Sequence, residues 1–395
     1  MRNSIIIFLF ISTGVFAQVD SFPYFSNHSN DISCITFSPD GKYIVTGSWD
    51  NTAIIHKNDS TAETAEIIEG FRGAVTTMAF SRDGHRLVIG GQGGKLAFYE
   101  FNDSFFQIAT EDTSYLLENT QINKLIYGPG MRTIFSACNN GKFITLDLVK
   151  NKIIPINGTT PISAAAVAID RRSYFIAVKG SPIISQIDIF GKVLNTFEGH
   201  SNDITDLLVT VDRKSLISSS KDKTIRVWDI LNVKEDVIFT EHTWSVTDID
   251  MDPLGLYLIS GSLDGTVNLY NLKEKKQIAQ YTLEGYKINA LALSPDNTKI
   301  VAAAQPNGVS NPAGFFAIKT GIPARKIVLP GKMDLQALRE TNKRRALKIK
   351  KKKQEKASEN FDSKTNKTGT SSTPKSEVEL LTKTKQVTIT IKDND

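Results

Sequence analysis

The sequence predicts an all-β protein, a seven-bladed β-propeller of four-stranded antiparallel blades followed by a basic C-terminal tail. An apolar position recurs seven times, at steps of 40 to 47 residues. Around it, each copy repeats an alternating strand, a reverse turn, a strand of small and β-branched residues, a tight turn and a third strand. A period of roughly 40–45 residues is typical of one propeller blade. The recurring apolar residues are Ile32, Val75, Ile122, Ala164, Ile204, Val246 and Ile288.

Two of the reverse turns have a clear chemical basis. Ser38-Pro39-Asp40-Gly41 and Ser294-Pro295-Asp296-Asn297 each follow a first strand. Proline presets φ, and Gly or Asn accepts the left-handed conformation that closes such a turn.

The best-preserved copy, Gly199–Asp229, opens with Gly199-His200 and closes with Trp228-Asp229. With these features, the chain resembles the WD-repeat β-propeller family over about residues 21–330. Copy five carries the whole signature, and copies one and six carry most of it.

The resemblance implies a structural hydrogen-bond network of histidine, Ser/Thr, aspartate and tryptophan inside each well-preserved blade. A buried aspartate needs such donors. The implied residues are His200, Ser218 or Ser220, Asp222 and Trp228 in copy five; His242 and Asp264, with Tyr270 for tryptophan, in copy six; and His28 and Asp50, with His56, in copy one. Copy four is the most degraded, with Thr160 at the histidine position, and copy seven has Glu284 there and an insertion at 305–314.

Charge and hydropathy divide the chain into three parts. Residues 1–17 are predicted to be a signal peptide, since Arg2 precedes an apolar run and small residues precede cleavage after Ala17. The alternative is an uncleaved anchor, but the apolar run is short of the roughly 20 residues that span a bilayer.

Residues 18–330 form the predicted propeller. Residues 331–395 form a basic, largely disordered tail with a charged helix in its first part; of the net charge of +5, the tail carries +8 and the preceding residues −3. The mature protein is therefore expected to be secreted or periplasmic.

Closure of the ring needs one terminus to supply the outer strand of the last blade. We predict that Ser21–Asn27 does so, because it precedes His28 as an outer strand should, which leaves Arg325–Pro330 as the alternative. Cys34 and Cys138 are expected in equivalent strands of non-adjacent copies and therefore as free, largely buried thiols.

The sequence predicts no cofactor, no metal site and no catalysis. Of the five histidines, three fall in the structural position, His56 replaces a packing aromatic and His85 falls in a turn. Asp248, Asp250 and Asp252 resemble a calcium loop, but they alternate with buried strand positions and would not wrap an ion. The alternative function is a propeller enzyme acting on envelope or extracellular polysaccharide through channel carboxylates. Convergent carboxyl groups of raised pKa in a channel pocket would favour it.

The preferred function is a non-catalytic protein-interaction scaffold, expected as a monomer. The resemblance implies that partners dock on the face formed by the loops entering the first strands and the turns after the second strands. The candidate partner-binding residues there are Trp49, Trp244, Lys221 and Leu263. Exposed tryptophans are typical binding anchors, although each ring could instead pack on its own blade.

The tail offers a second contact. A lysine run can bind an anionic surface electrostatically, or it can be a solvated tail. The run lacks the aromatics that stack on bases, so no nucleic-acid partner is expected. Its lysines are Lys348, Lys350, Lys351, Lys352 and Lys353.

Overall fold

The computed structural model describes residues 25, 27–101, 109–117, 120–128, 130–167, 173–308 and 314–331, and the helical positions 337–341, 344 and 347. Within these residues the chain forms seven antiparallel sheets, each built from strands consecutive in sequence. The seven-bladed propeller predicted from the repeat period is therefore confirmed.

Six blades have four strands in sequential order, and blade 7 has three strands plus one bridge from the N-terminal segment. The strands of blades 1 to 4 are β1 Ile32–Phe37, β2 Tyr43–Ser48, β3 Ala53–Lys57 and β4 Thr64–Ile68; β5 Val75–Phe80, β6 Arg86–Gly91, β7 Lys95–Phe101 and β8 Ala109–Leu116; β9 Ile122–Tyr127, β10 Thr133–Cys138, β11 Phe143–Asp147 and β12 Lys152–Ile156; and β13 Ile162–Val167, β14 Ser173–Val178, β15 Ile184–Asp188 and β16 Val193–Phe197. The strands of blades 5 to 7 are β17 Ile204–Val209, β18 Ser215–Ser220, β19 Ile225–Asp229 and β20 Lys234–Phe239; β21 Val246–Met251, β22 Tyr257–Ser262, β23 Thr266–Asn271 and β24 Lys276–Thr282; and β25 Tyr286–Leu293, β26 Lys299–Pro306 and β27 Gly314–Lys319. A short 3-10 turn, Gln92–Gly94, joins β6 to β7.

The first strand of each blade lines a central channel. Each first strand contacts the first strand of the next blade, and β25 contacts β1, so the ring is closed. We call the end where the first strands begin the top face and the opposite end the bottom face. The core lies between neighbouring blades; one apolar cluster, for example, joins Phe175 and Phe197 of blade 4 to Leu207 and Trp228 of blade 5.

Phe25, within the predicted closing segment, pairs with blade 7, which agrees with closure by the N-terminal segment. The Phe25 N–H donates to the Phe315 carbonyl at 3.3 Å, and the Phe315 N–H donates back at 3.1 Å. The two rings pack with centroids 5.4 Å apart. The alternative segment runs elsewhere: the Arg325 N–H donates to the Asp296 carbonyl at 2.9 Å, on a turn of the bottom face.

The reverse turns form as predicted. The Gly41 N–H donates to the Ser38 carbonyl at 2.8 Å, with φ of +75° at Gly41. The Asn297 N–H donates to the Ser294 carbonyl at 2.9 Å, with φ of +69° at Asn297.

The structure corrects the alignment of copy four. Ile162 pairs with Val178 across a bulge, as Ile204 pairs with Ser220 in blade 5. The recurring apolar position is therefore Ile162 rather than Ala164, and the position equivalent to the histidine is Gly158 rather than Thr160. The alternating, small-residue sequence of this strand fits either register, because strand side chains repeat every two residues.

Both cysteines are free, as predicted, but their placement in equivalent strands was wrong. Cys34 lies in β1, a first strand, and Cys138 ends β10, a second strand. Burial raises the pKa of the Cys34 thiol to about 12, which keeps it protonated at neutral pH.

The chain divides into two compact units, residues 1–336 and 337–395. In the second unit, positions 337–341, 344 and 347 are helical, in agreement with the predicted charged helix. No helix in the described part of the chain has the length and apolarity needed to cross a membrane. The predicted signal peptide and the lysine run lie outside the described residues.

Candidate functional site

The blade 5 network forms as the resemblance implied, and the structure selects its hydroxyl. His200 Nδ1 lies 2.7 Å from Asp222 Oδ2, and His200 Nε2 lies 2.7 Å from Ser218 Oγ. The Trp228 indole N–H donates to the same Ser218 Oγ at 2.9 Å. Ser220 is not the network hydroxyl; its Oγ accepts the Asp222 N–H at 3.0 Å and holds the top turn.

Blades 1 and 6 reproduce the network with substitutions. In blade 1, His28 bridges Asp50 and Thr46 at 2.9 Å each, and His56 Nε2 lies 3.0 Å from Thr46 Oγ1. His56 therefore takes the hydrogen-bonding position of the tryptophan as well as its packing position. Burial, followed by the charge of His28, lowers the pKa of His56 to about 4, so the ring is neutral at pH 7.

In blade 6, His242 Nε2 lies 2.7 Å from Ser260 Oγ, and Nδ1 lies 3.5 Å from Asp264 Oδ2. Tyr270 fills the tryptophan position but turns its hydroxyl toward Glu241 Oε2 at 3.4 Å. The phenol thus replaces the packing of tryptophan, and its oxygen also accepts a hydrogen bond from the Asn268 amide at 3.2 Å.

Sequence reasoning missed a threonine two residues after each network aspartate. In blade 5, Asp222 Oδ1 accepts the N–H of Thr224 at 2.9 Å and its hydroxyl at 2.7 Å. Asp222 Oδ2 also accepts the Ser201 N–H at 3.0 Å. Thr52 and Thr266 do the same for Asp50 and Asp264. The Asp-x-Thr spacing in all three copies was the available signal.

These donors determine the charge state of the aspartates. Burial alone would raise the pKa of Asp222, but hydrogen bonds from His200, Thr224 and the Ser201 amide lower it well below its ordinary value. Asp264 has a lowered pKa for the same balance of reasons, with His242 and Thr266 as the main donors. Both carboxylates therefore serve the fold and are not free for catalysis.

A second missed feature is a ring of polar residues at the top of the channel. The Asn123 amide donates to the Ile162 carbonyl at 2.7 Å and Thr247 Oγ1 to the Ile288 carbonyl at 2.9 Å, each reaching the next blade. Ser33 and Thr76 also donate to the next blade, which ties neighbouring blades at the channel. The residue after the recurring apolar position is Ser, Thr or Asn in every copy: Ser33, Thr76, Asn123, Ser163, Thr205, Thr247 and Asn289.

The channel wall below this ring carries one lysine and three aspartates. Lys124 Nζ lies 2.7 Å from Asp206 Oδ1, while Asp206 Oδ2 is buried with no hydrogen-bond partner in the described residues. Asp248 and Asp250 alternate along β21, as predicted for strand residues, and do not form a calcium loop. Each accepts a backbone N–H from the unpaired edge of β25: Asp248 from Leu291 at 2.9 Å and Asp250 from Leu293 at 2.8 Å.

Channel burial raises the pKa of both carboxyl groups. Asp248 is half-buried. Burial, followed by the charge of Asp206, raises its pKa to about 8. Burial likewise raises the pKa of Asp250 to about 6. Burial would lower the pKa of Lys124, but Asp206 and Asp248 raise it.

The alternative function, a propeller enzyme, would be favoured by carboxyl groups of raised pKa that converge in a channel pocket. A cavity of about 330 Å³ does lie at the channel mouth, but Asp248 and Asp250 do not line it. Its carboxylate, Asp203, accepts the Gly180 N–H at 2.8 Å and the Lys221 ammonium at 3.0 Å. The lining residues are Ser163, Lys179, Asp203, Ile204, Thr205, Lys221, Thr247 and Asn289. Among the described residues, no group of three or more His, Cys, Asp or Glu side chains is placed to hold a metal ion.

The candidate docking residues occupy the top face. The N–H groups of Trp49, Lys221 and Leu263 donate to carbonyls of the adjacent entry loops at 3.0, 2.9 and 3.0 Å, so the three occupy equivalent positions. Trp49 is 47% exposed and Trp244 is 56% exposed, whereas Trp228 is 2% exposed. About half of each loop tryptophan therefore remains available, and Leu263 is half-buried.

Comparisons with known proteins agree with this geometry. A family model described as "WD domain, G-beta repeat" matches residues 20–57, 191–229 and 234–271. These matches contain the copies that keep the His–Asp pair. The matches at 191–229 and 234–271 each begin with the outer strand of one blade and end with the third strand of the next blade. The sequence repeat is therefore offset from the blade by one strand. By the same offset, the residues that precede β1 contribute to blade 7.

The relatives are distant. The chain is 25% identical over 228 residues to "WD repeat-containing protein 18" of Homo sapiens, covering 50% of each chain. It is 25% identical over 235 residues to "Periodic tryptophan protein 2" of Saccharomyces cerevisiae, covering 52% of this chain and 25% of the relative. It is 41% identical over 59 residues to "Target of rapamycin complex subunit wat1" of Schizosaccharomyces pombe, covering 14% and 19%. The chain spans at most about half the length of these relatives.

Seven sequential antiparallel blades, three of which carry a His–Asp–Ser/Thr network, define a β-propeller built from structural repeats. Together with the three repeat matches and the WD-repeat relatives, this architecture supports a WD-repeat β-propeller family.

Proposed function

We propose that the protein is a non-catalytic scaffold that binds a protein partner on its top face. The observation that carries the proposal is the contrast between the buried Trp228 and the exposed Trp49 and Trp244 on one face. Large, half-exposed aromatic side chains are typical anchors of protein interfaces. Lys221 and Leu263 supply charge and apolar surface at positions equivalent to Trp49.

Replacing both loop tryptophans tests this proposal. We expect Trp49→Ala/Trp244→Ala to lose at least about 2 kcal/mol of partner binding, because hot-spot tryptophans contribute on that scale. The measurement is quantitative affinity capture with purified wild type and variant, followed by titration of the recovered partner. The matched control is Leu231→Ala, which truncates an 88% exposed side chain on a turn between the third and fourth strands.

The control variant should retain the partner, and both variants should keep the wild-type thermal midpoint. Equal binding by the tryptophan variant and the wild type would remove the top-face site. Loss of binding in both variants would place the interface elsewhere.

We also propose that the scaffold acts in an exported compartment, supported by the charged start, apolar run and small residues of positions 1–17. The expected result is a mature chain that begins at Gln18, read by mass spectrometry of the intact protein purified from its native source. A chain retaining residues 1–17 in the cytosol would contradict export and leave the top-face proposal standing. The basic tail remains a predicted contact with anionic surfaces.

A further inference from the structure

The outermost strand of each blade leaves one edge of backbone donors and acceptors unpaired by its own sheet. Natural proteins protect such edges with charged residues, proline or β-bulges, because a regular, neutral edge invites another strand. A β-bulge interrupts β4, β16, β20 and β24 alike, so the strands differ at this edge in charge and proline content. Of the outer strands β4, β12, β16, β20 and β24, whose side chains the structure describes, only β16, Val-Leu-Asn-Thr-Phe, carries neither charge nor proline. The protecting residues in the other four strands are Glu66 in β4, Lys152 and Pro155 in β12, Lys234, Glu235 and Asp236 in β20, and Lys276 in β24.

Apolar surface is concentrated at this same edge. Val193 is 52% exposed and Leu194 is 47% exposed. Phe190, in the turn before β16, is 84% exposed. Asp188 holds that turn by accepting the N–H groups of Phe190 at 2.8 Å and Lys192 at 2.9 Å. The turn is thus firmly constructed, and it presents a phenylalanine at the surface.

We propose that β16 pairs antiparallel with β16 of a second copy of this chain, which joins the two copies of blade 4 into one eight-stranded sheet. Asn195 lies on the two-fold axis of this pairing, so Val193 faces Phe197 and Leu194 faces Thr196 of the second copy. The same register places Lys192 opposite Glu198 of the second copy, and the symmetry makes that pair twice. Both residues are exposed and flank the neutral strand directly.

Charge complementarity favours a second copy of this chain as the partner of the free β16 edge. An antiparallel two-fold brings each strand end beside the other end, and here those ends carry opposite charges. No like charges face each other, since the five residues between them are neutral. One added strand pair is a small interface, so we expect a weak dimer with a dissociation constant on the order of 10 μM. The monomer expected from sequence alone would then dominate only in dilute solution.

Sedimentation velocity of the full chain over about 1 to 100 μM tests the proposal around that dissociation constant. Lys192→Glu places Glu opposite Glu198, and Glu198→Lys places Lys opposite Lys192. Each single variant is expected to weaken self-association about tenfold, because two attractive pairs become repulsive. An equimolar mixture of the two variants should recover a heterodimer, since each Glu then faces a Lys. Lys234→Glu, on the outer strand of blade 5, is the matched control and should associate like the wild type.

A wild type that stays monomeric at the highest concentration would overturn the proposal. So would single variants that associate like the wild type, or a mixture that fails to recover association while both variants keep the wild-type thermal midpoint. None of these outcomes bears on the top-face site, because β16 lies on the outer wall of the propeller.

Discussion

Asp222→Ala is expected to lower the free energy of unfolding by about 3 kcal/mol, because it removes the acceptor of the buried His200 ring and of two further donors. The His200 ring, the Ser201 N–H and the Thr224 hydroxyl all lose their acceptor. The measurement is the urea midpoint, with thermal unfolding as a second probe. The stabilisation is expected above the ordinary aspartate pKa near 4 and should fade as pH falls below it, because hydrogen bonds hold the folded pKa low.

The matched control is Asp236→Ala, in β20 of the same blade. Asp236 is 38% exposed and pairs with Lys275 at 2.7 Å on the surface. A surface pair of this kind contributes about 0.5 kcal/mol, so the control should unfold almost like the wild type. If both variants lost the same stability, the blade 5 network would not be the stabilising feature that its geometry indicates.

Asp248→Asn, in contrast to Asp222→Ala, is expected to raise the free energy of unfolding at pH 8. The folded state raises the pKa of Asp248, so between about pH 4 and pH 8 the folded chain retains a proton that the unfolded chain releases. Stability from this site therefore falls as pH rises through that window, by at most about 1.4 kcal/mol per pH unit. Asparagine does not titrate and its carbonyl can still accept the Leu291 N–H, so the stability advantage of the variant should grow from pH 5 to pH 8, within that limit of about 1.4 kcal/mol per pH unit.

Asp264→Asn is the control for this prediction. Its carboxylate accepts the Thr243 N–H at 2.7 Å and the Thr266 N–H at 2.9 Å, and its pKa is lowered. An amide group there replaces one accepting oxygen with a donor, so this variant should be destabilised at both pH values by about 2 kcal/mol. Urea midpoints at pH 5 and pH 8 separate the cases. If Asp248→Asn instead lowered the stability at pH 8, the ionised Asp248 carboxylate would be stabilising the fold through its attraction to the Lys124 ammonium.

The number of blades and the turns could be predicted from the repeat pattern, and the family resemblance implied the position of the structural network. These features repeat at short range: a strand alternates every two residues, a turn needs Pro, Gly or Asn, and His200, Asp222 and Trp228 lie within one copy. The substitution of His56 for tryptophan was also visible, although its hydrogen bond to Thr46 was not.

Features that depend on contacts between neighbouring blades could not be predicted from the sequence. Lys124, Asp206 and Asp248 come from three different copies, and their meeting in the channel reflects the closure of the ring. The choice of Ile162 over Ala164 required the pairing with β14, because an alternating small-residue strand fits both registers. The exposure of Trp49, the closing bridge at Phe25 and the neutral edge of β16 likewise depend on which strand lies beside which. A repeat unit specifies its own blade, while surfaces and channels arise from contacts between blades, which the period alone does not encode.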